Sequence, residues 1–233
     1  MSLAVSGGIK GISITEQVSD QLRNAIVKGD LTPGQRLVEQ QLARQFGVGQ
    51  NAVREALIEL AHRGYVRRVA NRATYVTSLS FEEARKLAQV RTALEGLAVE
   101  LVARRQKREA LDFKPLRQKL EAMRKAAKAG DRESFYEADL AWHRELWRLS
   151  GNEYLAQSAE QIVAPLFAFF TMLYMRAGHD PASFLEAVAA HEKVMNELAL
   201  AEPELAAAAL RKLVDLAVKH QQGLISDRGR AIP

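Results

Sequence analysis

Apolar residues in the first third of the chain recur at helical intervals and are interrupted by turn residues. Ile14, Val18, Leu22, Ala25 and Ile26 follow Ser13, and Ser13 with Glu16 has the spacing of a capping box, so a helix is predicted from Ile14. Lys28-Gly29-Asp30 and Pro33-Gly34 stop it and make a turn. Two shorter helices are predicted over residues 39–46, with Leu42, Ala43 and Phe46 on one face, and over residues 50–63, with Val53, Ala56, Leu57 and Leu60; Gly47-Val48-Gly49 turns between them. After Gly64 the composition shifts to Val, Tyr and Thr. Residues 65–69 and 73–77 are predicted to form a hairpin around Ala70-Asn71-Arg72.

From Ser80 onward no strand-like alternation remains. Ser80 and Glu83 have capping-box spacing, and Leu87, Val90, Leu94, Leu97 and Leu101 keep a 3-4-3-4 interval that predicts a buried seam. Further helices are predicted over residues 114–129, 132–149, 153–174, 181–201 and 204–225, a bundle of about six in all. The fold expected is therefore mainly α, an N-terminal winged helix-turn-helix followed by a C-terminal all-α helical bundle. The division falls at 1–78 and 79–233, with residues 78–80 as hinge.

Composition narrows the chemistry. With 48% hydrophobic residues in 233, the chain can build a sizeable core. No cysteine is present, which excludes disulfides, a zinc ribbon and a thiol nucleophile, and leaves His, Asp and Glu as metal ligands. The N-terminal ten residues lack the pattern of a signal peptide. The most apolar run, residues 162–175, contains Pro165 and falls short of the roughly 20 residues a bilayer span needs, so a cytoplasmic protein without a membrane partner is expected. Charge is uneven: ten Lys and Arg against six acids lie in residues 1–78, while 23 against 22 follow. Residues 61–79 hold His62, Arg63, Arg67, Arg68 and Arg72 with no acid, a density that favours a polyanion.

In a winged helix-turn-helix the second helix of the motif presents its first residues to base edges in the major groove. Here these are Gln50, Asn51 and Arg54; Gln and Asn can each pair adenine through two bonds, and Arg can pair guanine or a phosphate. Arg67, Arg68 and Arg72 fall on the wing, near backbone or minor groove. Residues 14–77 resemble the GntR-type bacterial transcription regulators: Gly29-Asp30-Leu31-Thr32-Pro33-Gly34, Leu37-Val38-Glu39-Gln40-Gln41-Leu42-Ala43, Gly47-Val48 and Val53-Arg54-Glu55-Ala56-Leu57 follow that pattern. The resemblance implies DNA contact by Arg54 and Asn51. It also implies a homodimer on a palindromic operator of double-stranded DNA, which the small footprint of one reading head independently favours. The chain departs from the pattern at Gly49-Gln50, where Ser-Arg is usual, at Val38, and at the wing glycine, so an altered operator preference is expected.

Four polar positions stand out in the apolar bundle: Arg91, Asp139, His143 and His191. Asp139 and His143, four apart, project from one helix face, and carboxylate with imidazole suits zinc, nickel or manganese. An ordinary polar pair at this spacing is the alternative. Residues after Ser80 also resemble the FCD ligand-sensing domain of the fatty-acid-responsive GntR subgroup, carried by Val90-Arg91-Thr92-Ala93-Leu94-Glu95, Asp139-Leu140-Ala141-Trp142-His143, Ser150-Gly151-Asn152 and Ala190-His191-Glu192. That resemblance implies Asp139, His143 and His191 as ligands of a divalent transition metal. The usual fourth ligand position is occupied by Leu213, and His220 lies seven residues on, about 10.5 Å along a helix, out of expected reach. Arg91 either clamps the carboxylate of a small organic acid effector or pairs with Glu95. Trp142, Trp147, Phe167, Phe169, Phe170 and Tyr174 are expected in core or pocket wall, His62 and His179 at the surface. The leading expectation is an effector-responsive, DNA-binding transcription regulator without enzymatic activity. A metal-dependent enzyme using the two-His, one-carboxylate set is the alternative.

Overall fold

The computed structural model describes residues 12–69, 73–177 and 181–228. Helix α1 (Ile14–Lys28) starts at the expected capping box: the Ser13 hydroxyl accepts from Glu16 N at 3.1 Å, and the Glu16 carboxylate accepts the Ser13 N–H at 2.7 Å. Gly29, at φ 97°, ends it. Helices α2 (Glu39–Phe46) and α3 (Gln50–His62) pack on α1 through Val18, Leu22, Ile26, Leu42, Val53, Leu57 and Leu60. Strands β2 (Val66–Val69) and β3 (Ala73–Val76) form the expected hairpin; its connecting residues, Arg72 among them, lie outside the described residues, as does His179. A third strand, β1 (Arg36–Leu37), was not expected. It pairs antiparallel with β3, giving the order β1-β3-β2. Two residues carry no alternation to read, and their partner lies far along the chain.

Six helices follow: α4 (Phe81–Arg108), α5 (Lys114–Ala129), α6 (Arg132–Leu149), α7 (Glu153–Ala177), α8 (Pro181–Ala199) and α9 (Pro203–Arg228). The last three differ from expectation by up to three residues at their ends. On α4 the seam is displaced. Val90 and Leu97 are 41% and 45% exposed, and Leu87, Leu94 and Leu101 are only partly buried. The buried stripe is the adjacent one, Ala84, Ala88, Arg91, Glu95, Ala98 and Val102, which has the same alternating interval one residue on. Spacing does not separate two neighbouring stripes, and hydrophobicity favours the wrong one because the buried stripe carries an ion pair.

Helix α7 is long and apolar enough to cross a membrane by length and composition, yet 67% of its most apolar window is buried inside the fold. Its burial is shared. Ala159, Val163 and Phe167 join the bundle core, whereas Leu166, Phe169, Phe170, Met172 and Leu173 complete the core of the N-terminal head. At the junction, Gly64 (φ 80°) packs its backbone against Pro165; a Cβ there would lie 2.6 Å from Pro165 Cα and N. Only glycine fits both the conformation and the space.

Candidate functional site

Two sites follow from this architecture. On the head, α3 begins at Gly49, an N-cap with no side-chain bond, so its first amides are left open. Gln50, Asn51 and Arg54 are all exposed. Arg54 is held by Glu39 at the start of α2, with Nε 3.0 Å and Nη2 2.9 Å from Oε2. Arg67 and Arg68 are exposed on β2, and Arg68 shares a cleft with Arg36, Glu39 and Gln50. The sheet thus brings the wing to the start of α3 and presents cations there.

In the bundle, Arg91 (α4), Asp139 and His143 (α6), and His191 (α8) meet around one cavity of about 60 Å³. Its walls are aromatic, from Phe135, Tyr136, Phe167, Phe170, Tyr174 and Phe184. Arg91 donates from Nε to Glu95 Oε2 at 2.8 Å, so the expected pairing forms, and its guanidinium lies over the Phe167 ring at 4.5 Å. Trp147 Nε1 donates to Glu95 Oε1 at 3.2 Å. Of the other aromatics, Trp142 and Trp147 are core, while Phe169 belongs to the head cluster.

Tautomers follow from these contacts. His191 Nδ1 is 2.7 Å from the Ala187 carbonyl, which can only accept, so the proton is on Nδ1 and, in the neutral ring, Nε2 is bare. His143 Nε2 lies 3.0 Å from Arg91 Nη2, which can only donate, so this nitrogen is bare as well. Its Nδ1 faces Glu95 Oε1 at 2.7 Å, an electrostatic contact bent outside hydrogen-bond geometry. Between the two rings stands Asp139 Oδ1, buried and without a hydrogen-bond donor. Three acceptors therefore converge: Asp139 Oδ1 is 3.1 Å from His191 Nε2 and 3.5 Å from His143 Nε2, and the two nitrogens are 3.3 Å apart.

Electrostatics agree with a site built around positive charge. Burial alone would raise the Glu95 carboxyl, but Arg91 and His143 outweigh it and hold it at about 2. Asp139 is likewise pulled well below its usual range, against burial, by the two histidines when their Nε2 atoms carry protons, the positions a cation would otherwise take. For His143 burial opposes a charge, Glu95 favours one and Arg91 opposes it, and the net direction is upward. A proton, the Arg91 guanidinium and a cation thus compete for one lone pair.

Leu213 lines this cavity at the position expected of a fourth ligand, and His220 lines it too, with Nε2 3.5 Å from Glu186 Oε2. Among the described residues the group able to hold a metal is Asp139, His143 and His191. Sequence reasoning missed Glu95 as more than a partner for Arg91, and missed Tyr136, which stacks on Tyr174 at 5.1 Å. Their signal was the buried stripe of α4 and the Tyr136 to Asp139 interval on α6, neither of which hydrophobicity marks.

Residues 14–76 match the family of bacterial regulatory proteins called gntR, and residues 86–216 match the FCD domain. The chain belongs to the GntR family, with an FCD domain. This GntR-family chain is 30% identical to the probable D-xylose utilization operon transcriptional repressor of Paenarthrobacter nicotinovorans, over 89% of its own length and 88% of that protein. It is 27% identical to the HTH-type transcriptional regulator McbR of Escherichia coli (strain K12) over 67% of its length and 70% of McbR. Among solved structures, E. coli McbR/YncC superposes with a TM-score of 0.67 at 24% identity, covering 91% of this chain and 99% of that one. A putative GntR regulator from Rhodococcus sp. RHA1 gives 0.65 at 20% identity, covering 90% and 97%. The protein is a DNA-binding transcriptional regulator. With families and relatives that are regulators, the enzymatic alternative is set aside.

Proposed function

We propose that this regulator changes its operator affinity when a small carboxylate enters the bundle cavity, and that a divalent transition metal held by Asp139, His143 and His191 is part of the receptor. The observation that carries the metal is the triangle of acceptors. For a tetrahedral ion with bonds of about 2.0–2.1 Å, ligand atoms stand about 3.3–3.4 Å apart, and the three separations are 3.1, 3.3 and 3.5 Å. His191 has its second nitrogen committed to the Ala187 carbonyl, and the second nitrogen of His143 faces the Glu95 carboxylate, an arrangement that turns both Nε2 atoms toward the same point. Zinc, nickel and manganese all suit this donor set.

Three protein ligands leave positions that an effector carboxylate can fill. Arg91, held by Glu95 through Nε, would keep its remaining donors for the same carboxylate if His143 Nε2 were given up to a metal. On the head, Gln50, Asn51 and Arg54 read bases while Arg67, Arg68 and Arg72 hold the backbone. We take the division between head and bundle at residues 78 and 79. Two chains paired on a palindrome, working in the cytoplasm where the operator lies, supply enough base contacts for specificity.

Metal analysis of protein purified without chelator or nickel resin tests the site. We expect about one transition-metal ion per chain, lost in an Asp139→Ala, His191→Ala double variant. No metal in the unaltered protein, or equal metal in both, would remove the metal from the proposal.

A further inference from the structure

Helix α6 faces two ways. Its inner positions Phe135, Tyr136, Asp139 and His143 line the cavity, while Glu133 and Glu137, on the same two turns, reach the head. Arg23 of α1 pairs with Glu133 and, at 3.1 Å, with Glu137; Arg63, the residue that ends α3, lies 3.4 Å from Glu137. Arg23 is 12% exposed in its side chain, and Tyr65 is buried beside both arginines, its ring 5.7 Å from the Arg63 guanidinium. Arg23 is the buried member of these pairs; the Glu133 and Glu137 side chains are 38% and 49% exposed. The cavity wall and the clasp adjoin in the chain: Tyr136 is the immediate neighbour of Glu137 and stacks on Tyr174 of α7, whose own turn completes the head core.

We infer that α6 is the coupling element of this regulator, with Glu133 and Glu137 passing displacement of the cavity wall to Arg23 and Arg63 and so to the orientation of the head. The inference rests on the bundle cavity being the effector site. It also follows from size. The cavity is narrow, about 60 Å³, so an organic acid that enters it lies directly against its aromatic wall and presses on Tyr136. Tyr136 is the part of that wall attached to the clasp. On the far side of Tyr136 and Phe167 lies a crevice of about 280 Å³, bounded by Arg63, Tyr65, Glu137, Arg144 and Thr171, which gives the clasp room to shift. The Gly64–Pro165 contact, backbone against backbone, is a close approach of head and α7 beside this clasp and is the pivot we assign to the motion.

The absence of cysteine makes the test direct. Spin labels on Gln40→Cys in the head and Gln118→Cys on α5, both exposed positions, report the head-to-bundle distance in label-diluted full-length protein. No ligand is added. Ala187→Phe, which lines the cavity from α8 and touches neither head nor clasp, replaces the effector as a wedge; Ala217→Phe on α9 serves if the first variant loses its helical circular dichroism. The wedge is expected to shift or at least double the width of the distance distribution. Adding Glu133→Gln and Glu137→Gln is expected to cut that wedge-induced change by half or more. An unchanged distribution in a folded wedge variant overturns the coupling, and the same wedge-induced change without the two acids overturns the assigned route. Because no metal or effector enters the experiment, a protein that proves metal-free leaves this result standing.

Discussion

Replacing Glu95 by glutamine removes the one negative charge that Arg91, His143 and Trp147 share, at a position with no solvent exposure. Folding takes this carboxyl from its usual 4.5 down to about 2, so the folded state favours the ionised form by about 3 kcal/mol. The same order is expected from stranding a buried guanidinium, about 3–5 kcal/mol. Because the folded value is the lower one, the contribution is complete above pH 4.5 and is lost as pH falls toward 2. Urea unfolding of the wild type and of Glu95→Gln, compared at several pH values, is the assay. We expect the variant to be less stable by about 3 kcal/mol at pH 7, with the gap narrowing to about 1.5 kcal/mol at pH 3 as the wild type loses its advantage. Groups far from Glu95 titrate alike in both proteins and cancel; His143, whose charge Glu95 favours, adds to the wild-type margin as it protonates, so the narrowing is read on the acid side of that step. A gap below about 1 kcal/mol at pH 7, or one that stays constant between pH 7 and pH 3, would refute the claim that Glu95 acts as a buried anion.

Two further outcomes follow from the head. Gly64→Ala forces a side chain into a positive-φ position and against the Pro165 backbone, and should cost at least about 2 kcal/mol, read as a lowered thermal midpoint; an unchanged midpoint would mean the junction opens freely. Gln50→Arg restores the residue usual in the family and should shift selection from a random duplex library toward guanine at one position per half-site, by about 1–3 kcal/mol. An unchanged selected sequence would remove Gln50 from base recognition.

Much of the architecture was legible because caps and turn residues act locally. Ser13 with Glu16 and Ser80 with Glu83 set helix starts, and Gly29, Gly47 and Gly130 set helix ends, all within reach of a few residues. The trio Asp139, His143 and His191 was legible through resemblance and through the i,i+4 interval, and the fold brings the three together. What failed was choice of face. On α4 the buried stripe carries Arg91 and Glu95, and only knowledge of their partners on α6 makes burying them acceptable. Strand β1 failed for the related reason that its two residues are defined by β3 rather than by themselves.

The central strand of the head has a mechanical consequence. β3 is bonded on both sides, by β1 and β2, and residues 77–80 lead from it into α4. Thr77 is then pinned, its hydroxyl donating to the Gly64 carbonyl at 2.6 Å and its amide to Tyr65 O at 2.9 Å, and Ser80 is fixed as the cap of α4. Only Ser78 and Leu79 remain between two anchored points, too short a tether for the head to swing on its own. A turn of the head is then carried by α4 and its packing against the bundle rather than by slack in the linker, so small rotations of that helix move the whole reading surface.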